Sequence, residues 1–68
     1  MTDKTEFQVA LLRNNITAEA LADKIGISRV SMSYKMNGKR DFTASEISRI
    51  CNVLNLSIEE KEKIFFRA

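Results

Sequence analysis

Several residue types are missing from this 68-residue chain, and each absence excludes a class of structure or chemistry. There is no histidine and only one cysteine, Cys51, so an internal disulfide and a zinc site of Cys and His ligands are excluded. Catalysis with a histidine base is excluded as well, and we expect no enzyme activity, cofactor or metal. There is no proline and only two glycines, which disfavours a β-sandwich with many tight turns.

Long apolar runs are also missing. No stretch approaches the ~20 residues of a membrane-spanning helix, and the charged N-terminus MTDKTEF is unlike a signal peptide. We therefore expect a cytoplasmic protein with no membrane association and no small-molecule ligand. The length is that of one small domain, spanning residues 1–68.

The charges are unevenly distributed. The net charge is only +2, but the segment 24–40 has no acidic residue. Its basic residues are Lys24, Arg29, Lys35, Lys39 and Arg40. A concentrated positive segment on a near-neutral body is typical of a surface that meets phosphate groups, and a solvated charged face is the alternative.

Helix starts are marked by capping residues. Asp3, Thr43 and Ser57 each precede a glutamate by three positions, which is the capping-box spacing, and Thr17 and Ser28 can cap two more helices. With apolar residues spaced i, i+3 and i+4, these caps predict helices at roughly 4–14, 18–25, 28–36, 44–54 and 58–66. No segment alternates with period two, so no strand is expected. The predicted fold is an all-α, compact five-helix bundle.

The same apolar spacing predicts the core. The expected core side chains are Phe7, Ala10, Leu11, Leu12, Ile16, Ala18, Leu21, Ala22, Ile25, Met32, Met36, Ile47, Ile50, Cys51, Leu54, Ile58 and Phe65, with Ile64 as a further candidate. Phe65 and Phe66 are adjacent, so one helix cannot bury both rings against the same surface. Either one ring closes the core while the other contacts a protein partner, or both lie under the N-terminal helix.

The stretch DKIGIS predicts a tight turn between the second and third helices. Gly26 directly follows the last apolar residue of the second helix, where glycine supplies a left-handed conformation at least cost. Ile27 then points back to the core, and the small side chain of Ala22 permits two steeply crossing helices to approach closely. The spacing indicates a helix-turn-helix at about 18–36.

The run TAEALADKIGISRVSMSYKMNGKR resembles the helix-turn-helix of the phage Cro and repressor family, and FTASEISRICNVLNLS resembles that family's fourth helix. The resemblance implies a phage repressor-like domain that binds an operator in double-stranded DNA and regulates transcription in a bacterial cytoplasm. It departs from the family at Ala18, where many members have a glutamine that clamps a phosphate, and at Lys35, where many have an aliphatic residue.

The resemblance also assigns candidate DNA contacts on the third helix and around it. Base-reading positions are Arg29, Val30, Ser33 and Tyr34. At 100° per residue Val30 and Tyr34 lie opposite Met32 and Met36, Ser33 lies on one edge of that face, and Arg29 lies in the first turn. Candidate phosphate contacts are Thr17, Ser28, Ser31, Lys35, Asn37, Lys39, Arg40 and Thr43.

Two functions are open at this point. The first is a sequence-specific Cro-like regulator, with a homodimer on DNA as the usual arrangement for palindromic sites. The alternative is a protein-binding modulator or antirepressor that acts on another phage repressor through the same fold. Phe65 and Phe66 are the candidate protein interface for either arrangement.

Overall fold

The computed structural model describes residues 1–66. It contains five α-helices: α1 Lys4–Arg13, α2 Ala18–Ile25, α3 Arg29–Met36, α4 Ala44–Leu54 and α5 Ile58–Phe65. Each bound lies within one residue of its predicted position, and residues 1–66 contain no strand. The predicted all-α, five-helix fold is confirmed.

The helix starts form because each N-cap side chain takes up a first-turn amide. Complete capping boxes join Thr43 to Glu46 and Ser57 to Glu60, as predicted. The Asp3 carboxylate accepts a hydrogen bond from the Glu6 N–H at 3.0 Å. The hydroxyls of Thr17 and Ser28 accept from amides in the first turns of α2 and α3, respectively. Local hydrogen bonding thus fixes the residue at which each of the five helices begins.

Three aromatic rings pack at the centre of the core. The Phe7 ring centroid lies 5.7 Å from those of Phe42 and Phe65, and the latter two lie 5.5 Å apart, edge to face. Phe7 is fully buried on α1, Phe65 closes the core from α5, and Phe42 enters from the loop before α4. The helical pattern did not predict Phe42, because it lies between helices.

Two predicted core residues are wrong. Leu12 is 80% exposed and Ile58 is 78% exposed. Successive residues of a helix differ in direction by about 100°, and Leu11 already occupies the buried side of α1. Ile58 is the first residue of α5, and Ile64 and Phe65 supply that helix's core contacts. Ile16, Ala18 and Cys51 are only partly buried against the core.

The turn of the helix-turn-helix is stabilised by hydrogen bonds within the turn and by one from α4. Gly26 adopts the predicted left-handed conformation (φ +80°), and its N–H and that of Ile27 both donate to the Ala22 carbonyl. The Arg49 guanidinium of α4 donates to the Ile25 carbonyl, so α4 also satisfies the C-terminus of α2. Ala22 is fully buried at this crossing, as its size predicted.

Candidate nucleic-acid interface

α3 has one buried and one exposed side. Met32 and Met36 are buried, as predicted, and hold the helix against the core. On the other side Val30 is 63% exposed and Tyr34 is also exposed. Arg29 and Ser33, which border a groove together with Met32 and Met36, are exposed as well. Leaving Val30 so accessible costs apolar burial, which suits a side chain that meets an apolar group such as a thymine methyl. The structure thus brings the four predicted base-reading residues together on one accessible surface.

Arg29 already has a charged partner in the free protein. Its guanidinium donates to the Asp23 carboxylate at 3.0 Å, and both side chains are exposed. The hydrogen bond from Arg29 to Asp23, with the charge of Asp23, raises the pKa of Arg29. Because an exposed pair contributes little to stability, the guanidinium can exchange this carboxylate for a guanine edge at low cost. In the free protein, Asp23 also keeps the Arg29 side chain beside the start of α3.

The loop after α3 places its two cations beside Tyr34. Gly38 is left-handed (φ +77°), and this bend lets the Lys39 N–H donate to the Tyr34 carbonyl at 2.9 Å. The Lys39 ammonium lies 5.7 Å from the Tyr34 ring centroid and the Arg40 guanidinium lies 5.4 Å from it. Cation–π attraction therefore gathers both charges at the exposed end of α3.

Three helix N-termini add backbone donors and a positive dipole end. The N-cap residues Thr17, Ser28 and Thr43 are exposed, and each leaves first-turn amides that can meet an anion. Ser31, in the first turn of α3, is half-buried. These groups stay candidate phosphate contacts.

Lys35 contradicts its predicted role as a phosphate contact. The residue is only 9% exposed, and its ammonium lies 2.6 Å from both carboxylate oxygens of Glu46, which is itself 7% exposed. Position 35 is three residues after Met32, which places the two side chains on the same side of the helix. A buried, paired ammonium cannot reach a phosphate on the surface.

Lys4 is a candidate contact that the sequence did not indicate. Its ammonium donates to the Asn37 side-chain oxygen at 2.7 Å, which brings the start of α1 to the end of α3. Asn37 in turn donates to the Ser33 carbonyl at 2.7 Å. Lys4 and Asn37 line a shallow groove of about 230 Å³ that also borders Arg29 and Ser33. A further cation therefore lies at the edge of the predicted reading surface.

The two adjacent phenylalanines differ. Phe65 is buried in the ring cluster, so it is the ring of the pair that closes the core, and it is not accessible to a partner. Phe66 is 59% exposed and stays a candidate for a partner contact.

Within residues 1–66 no cluster of acidic, Cys or His side chains could hold a metal ion. No helix in that range has the length and apolar character needed to cross a bilayer.

Two packed helices joined by a tight turn, the second of them without acidic residues and flanked by cations, have the features of a helix-turn-helix DNA-binding domain. The chain matches the model of the Cro/C1-type HTH DNA-binding domain over residues 6–60, and it belongs to that family. This confirms the resemblance and makes the protein a DNA-binding regulator, of a family that is typically non-enzymatic. A comparison with curated proteins finds no match.

Proposed function

We propose that this protein is a sequence-specific transcription regulator of the phage Cro-like type, acting in a bacterial cytoplasm. In this proposal α3 lies in the major groove of an operator. The observation that carries the proposal is the accessible face of Arg29, Val30, Ser33 and Tyr34 on α3, a helix that has no acidic residue of its own. Arg29 can donate two hydrogen bonds to guanine, Val30 can contact a thymine methyl, and Ser33 can serve several base acceptors.

Backbone contacts would surround this face. Lys39 and Arg40 extend from the loop after α3, and Thr17 and Thr43 present the N-termini of α2 and α4. Such groups fix the orientation of the protein on the duplex without reading sequence. Two copies related by a two-fold axis would place two reading helices about one DNA turn apart.

Selection of bound duplexes from a random-sequence library tests the proposal. We expect a defined motif, with two inverted half-sites if two copies bind. Arg29→Ala should relax the preference at one guanine and cost about 1–3 kcal/mol on the selected site. The control Lys63→Gln changes an α5 cation, and it should keep the motif. A parent chain that enriches no motif would refute sequence-specific reading.

An exposed apolar groove favours the alternative, a modulator that binds another repressor. Leu12 borders a groove of about 500 Å³ with Leu11, Ile16, Ala18 and Met36. Gln8, Asn15 and Thr17 also line this groove, and Ala18 lies in it where many family members have the phosphate-clamping glutamine. Co-purification with a repressor in the absence of DNA, together with a flat salt dependence of DNA binding, would support this alternative.

A further inference from the structure

The buried Lys35–Glu46 pair joins α3, the proposed DNA-reading helix, directly to α4. The Lys35 ammonium reaches both Glu46 oxygens at 2.6 Å, whereas the pairs Arg13–Glu60 and Arg29–Asp23 are largely exposed. No DNA-contact role is left for Lys35, since its charge faces inward. Its placement on the reading helix therefore requires another explanation.

Glu46 also shapes the N-terminus of α4. Its Oε1 atom accepts a hydrogen bond from the Thr43 N–H at 2.9 Å, while its own N–H donates to the Thr43 hydroxyl at 3.1 Å. One carboxylate therefore binds both the α3 side chain of Lys35 and the cap of α4. The N-terminus of α4 is a candidate phosphate site, so the carboxylate connects the predicted base-reading and backbone-binding elements.

Net stability does not account for the pair. Replacing a buried ion pair with apolar side chains of similar volume is often neutral or stabilising, because the pair must recover the cost of desolvation. Met32 and Met36 occupy adjoining positions, which shows that an unbranched apolar chain fits this part of the core. Compared with an apolar contact, the pair adds a defined geometry between the two helices. Its hydrogen bonds fix the positions of the bonded atoms, whereas methionine packing does not.

α3 needs contacts with other helices to fix its orientation. It has eight residues, about two turns, and a helix this short does not hold its own conformation or orientation in water. A binding surface works only if its groups are held close to the productive geometry by supporting contacts. The base-contacting side chains of α3 and the phosphate-contacting amides of α4 must bind the same DNA duplex at the same time.

We propose that Lys35 and Glu46 are positioning residues for DNA binding, which fix the reading face of α3 relative to the N-terminal amides of α4. The inference rests on the proposed function. It predicts that the pair determines affinity for DNA without touching it.

The test replaces both partners, as Lys35→Met with Glu46→Gln. Methionine keeps the unbranched shape of lysine, and the glutamine oxygen can still accept from the Thr43 N–H. We expect the thermal midpoint to stay within about 5 °C of the parent. Affinity for the selected operator should fall about tenfold, because the supporting contact is lost. The salt dependence should not change, since no phosphate-contacting cation is removed.

The chain offers a matched control. Glu60 forms the same capping box with Ser57 and binds Arg13 of another helix at 3.1 Å, which joins α5 to α1. Arg13→Met with Glu60→Gln removes an interhelical ion pair in the same way, away from the predicted DNA surface. This double variant should bind the operator with unchanged affinity.

Four outcomes would overturn the inference. A Lys35→Met, Glu46→Gln variant that is as stable as the parent and binds equally well removes the positioning role. An equal loss of affinity in the Arg13→Met, Glu60→Gln control points to a general effect. If the first double variant does not fold, Lys35→Gln with Glu46→Gln, which leaves no buried charge, should still weaken binding, and unchanged binding refutes the role. A parent chain that selects no DNA sequence instead refutes the proposed function, and the positioning role with it.

Discussion

Neutralising the loop after α3 should weaken DNA binding and flatten its salt dependence. The change is Lys39→Gln with Arg40→Gln. Both cations are exposed, and they lie 5.7 and 5.4 Å from the Tyr34 ring centroid. Glutamine keeps a polar side chain at each position. The variant therefore removes two exposed positive charges without opening the core.

The magnitude follows from counterion release. Each neutralised phosphate contributes a slope of about −0.9 to the plot of log K against log salt, so losing two contacts should flatten it by roughly 1.8. Between about 50 and 200 mM salt, the parent should then lose roughly 12-fold more affinity than the variant loses. The variant's disadvantage should accordingly be largest at low salt.

Fluorescence anisotropy with a labelled operator duplex, at a series of salt concentrations, measures both slopes. The control Lys61→Gln with Lys63→Gln removes the same charge from α5, which packs on α1. We expect the control slope to match the parent's. If both double variants flatten the slope equally, total charge governs binding, and the loop does not bind the DNA backbone.

Three further changes test the fold and its electrostatics. Phe7→Ala should cost about 3–5 kcal/mol in urea unfolding, because Phe7 is fully buried between two rings; a loss below about 1 kcal/mol would contradict the shared aromatic core. Gly26→Ala should cost about 1–2 kcal/mol, since φ is +80° while an added Cβ meets Arg49 only at 3.7 Å; a neutral change would contradict the left-handed turn. Burial alone would raise the pKa of Glu46, but hydrogen bonds from Lys35 and Thr43 and the charge of Lys35 lower it overall. Its stabilising effect is thus present above about pH 4.5 and is lost as the pH falls through the folded-state pKa. Unfolding in urea across this range should therefore show a shallower acid loss for Glu46→Gln than for the parent, and equal acid losses would contradict the lowered pKa.

The helices could be predicted because their signals are local. A cap and its partner amide lie within four residues, and an apolar stripe repeats within one helix, as at Thr43 and along α4. The turn at Gly26 was equally legible, because its conformation depends on the residue itself. The outward side of α3 followed from helical geometry once Met32 and Met36 were assigned to the core.

Long-range contacts could not be predicted in this way. Lys4 meets Asn37 across 33 positions of sequence, and nothing near either residue indicates the contact. Phe42 lies in a loop, where no periodic pattern marks burial. Phe65 and Phe66 have the same side chain, and only packing against Phe7 decides which ring is covered.

The two glutamate capping boxes show why local sequence does not fix the role of a charge. Glu46 and Glu60 have the same spacing from their caps, and each binds a cation of another helix. Around Glu46 the core of α3 and α4 excludes water, so removing one partner would leave a buried charge and cost several kcal/mol. Around Glu60 the Arg13 partner is exposed, and such a pair is worth at most about 1 kcal/mol. In the proposed positioning role, the location of Lys35 on α3, rather than the capping box of Glu46, is what distinguishes the first pair from the second.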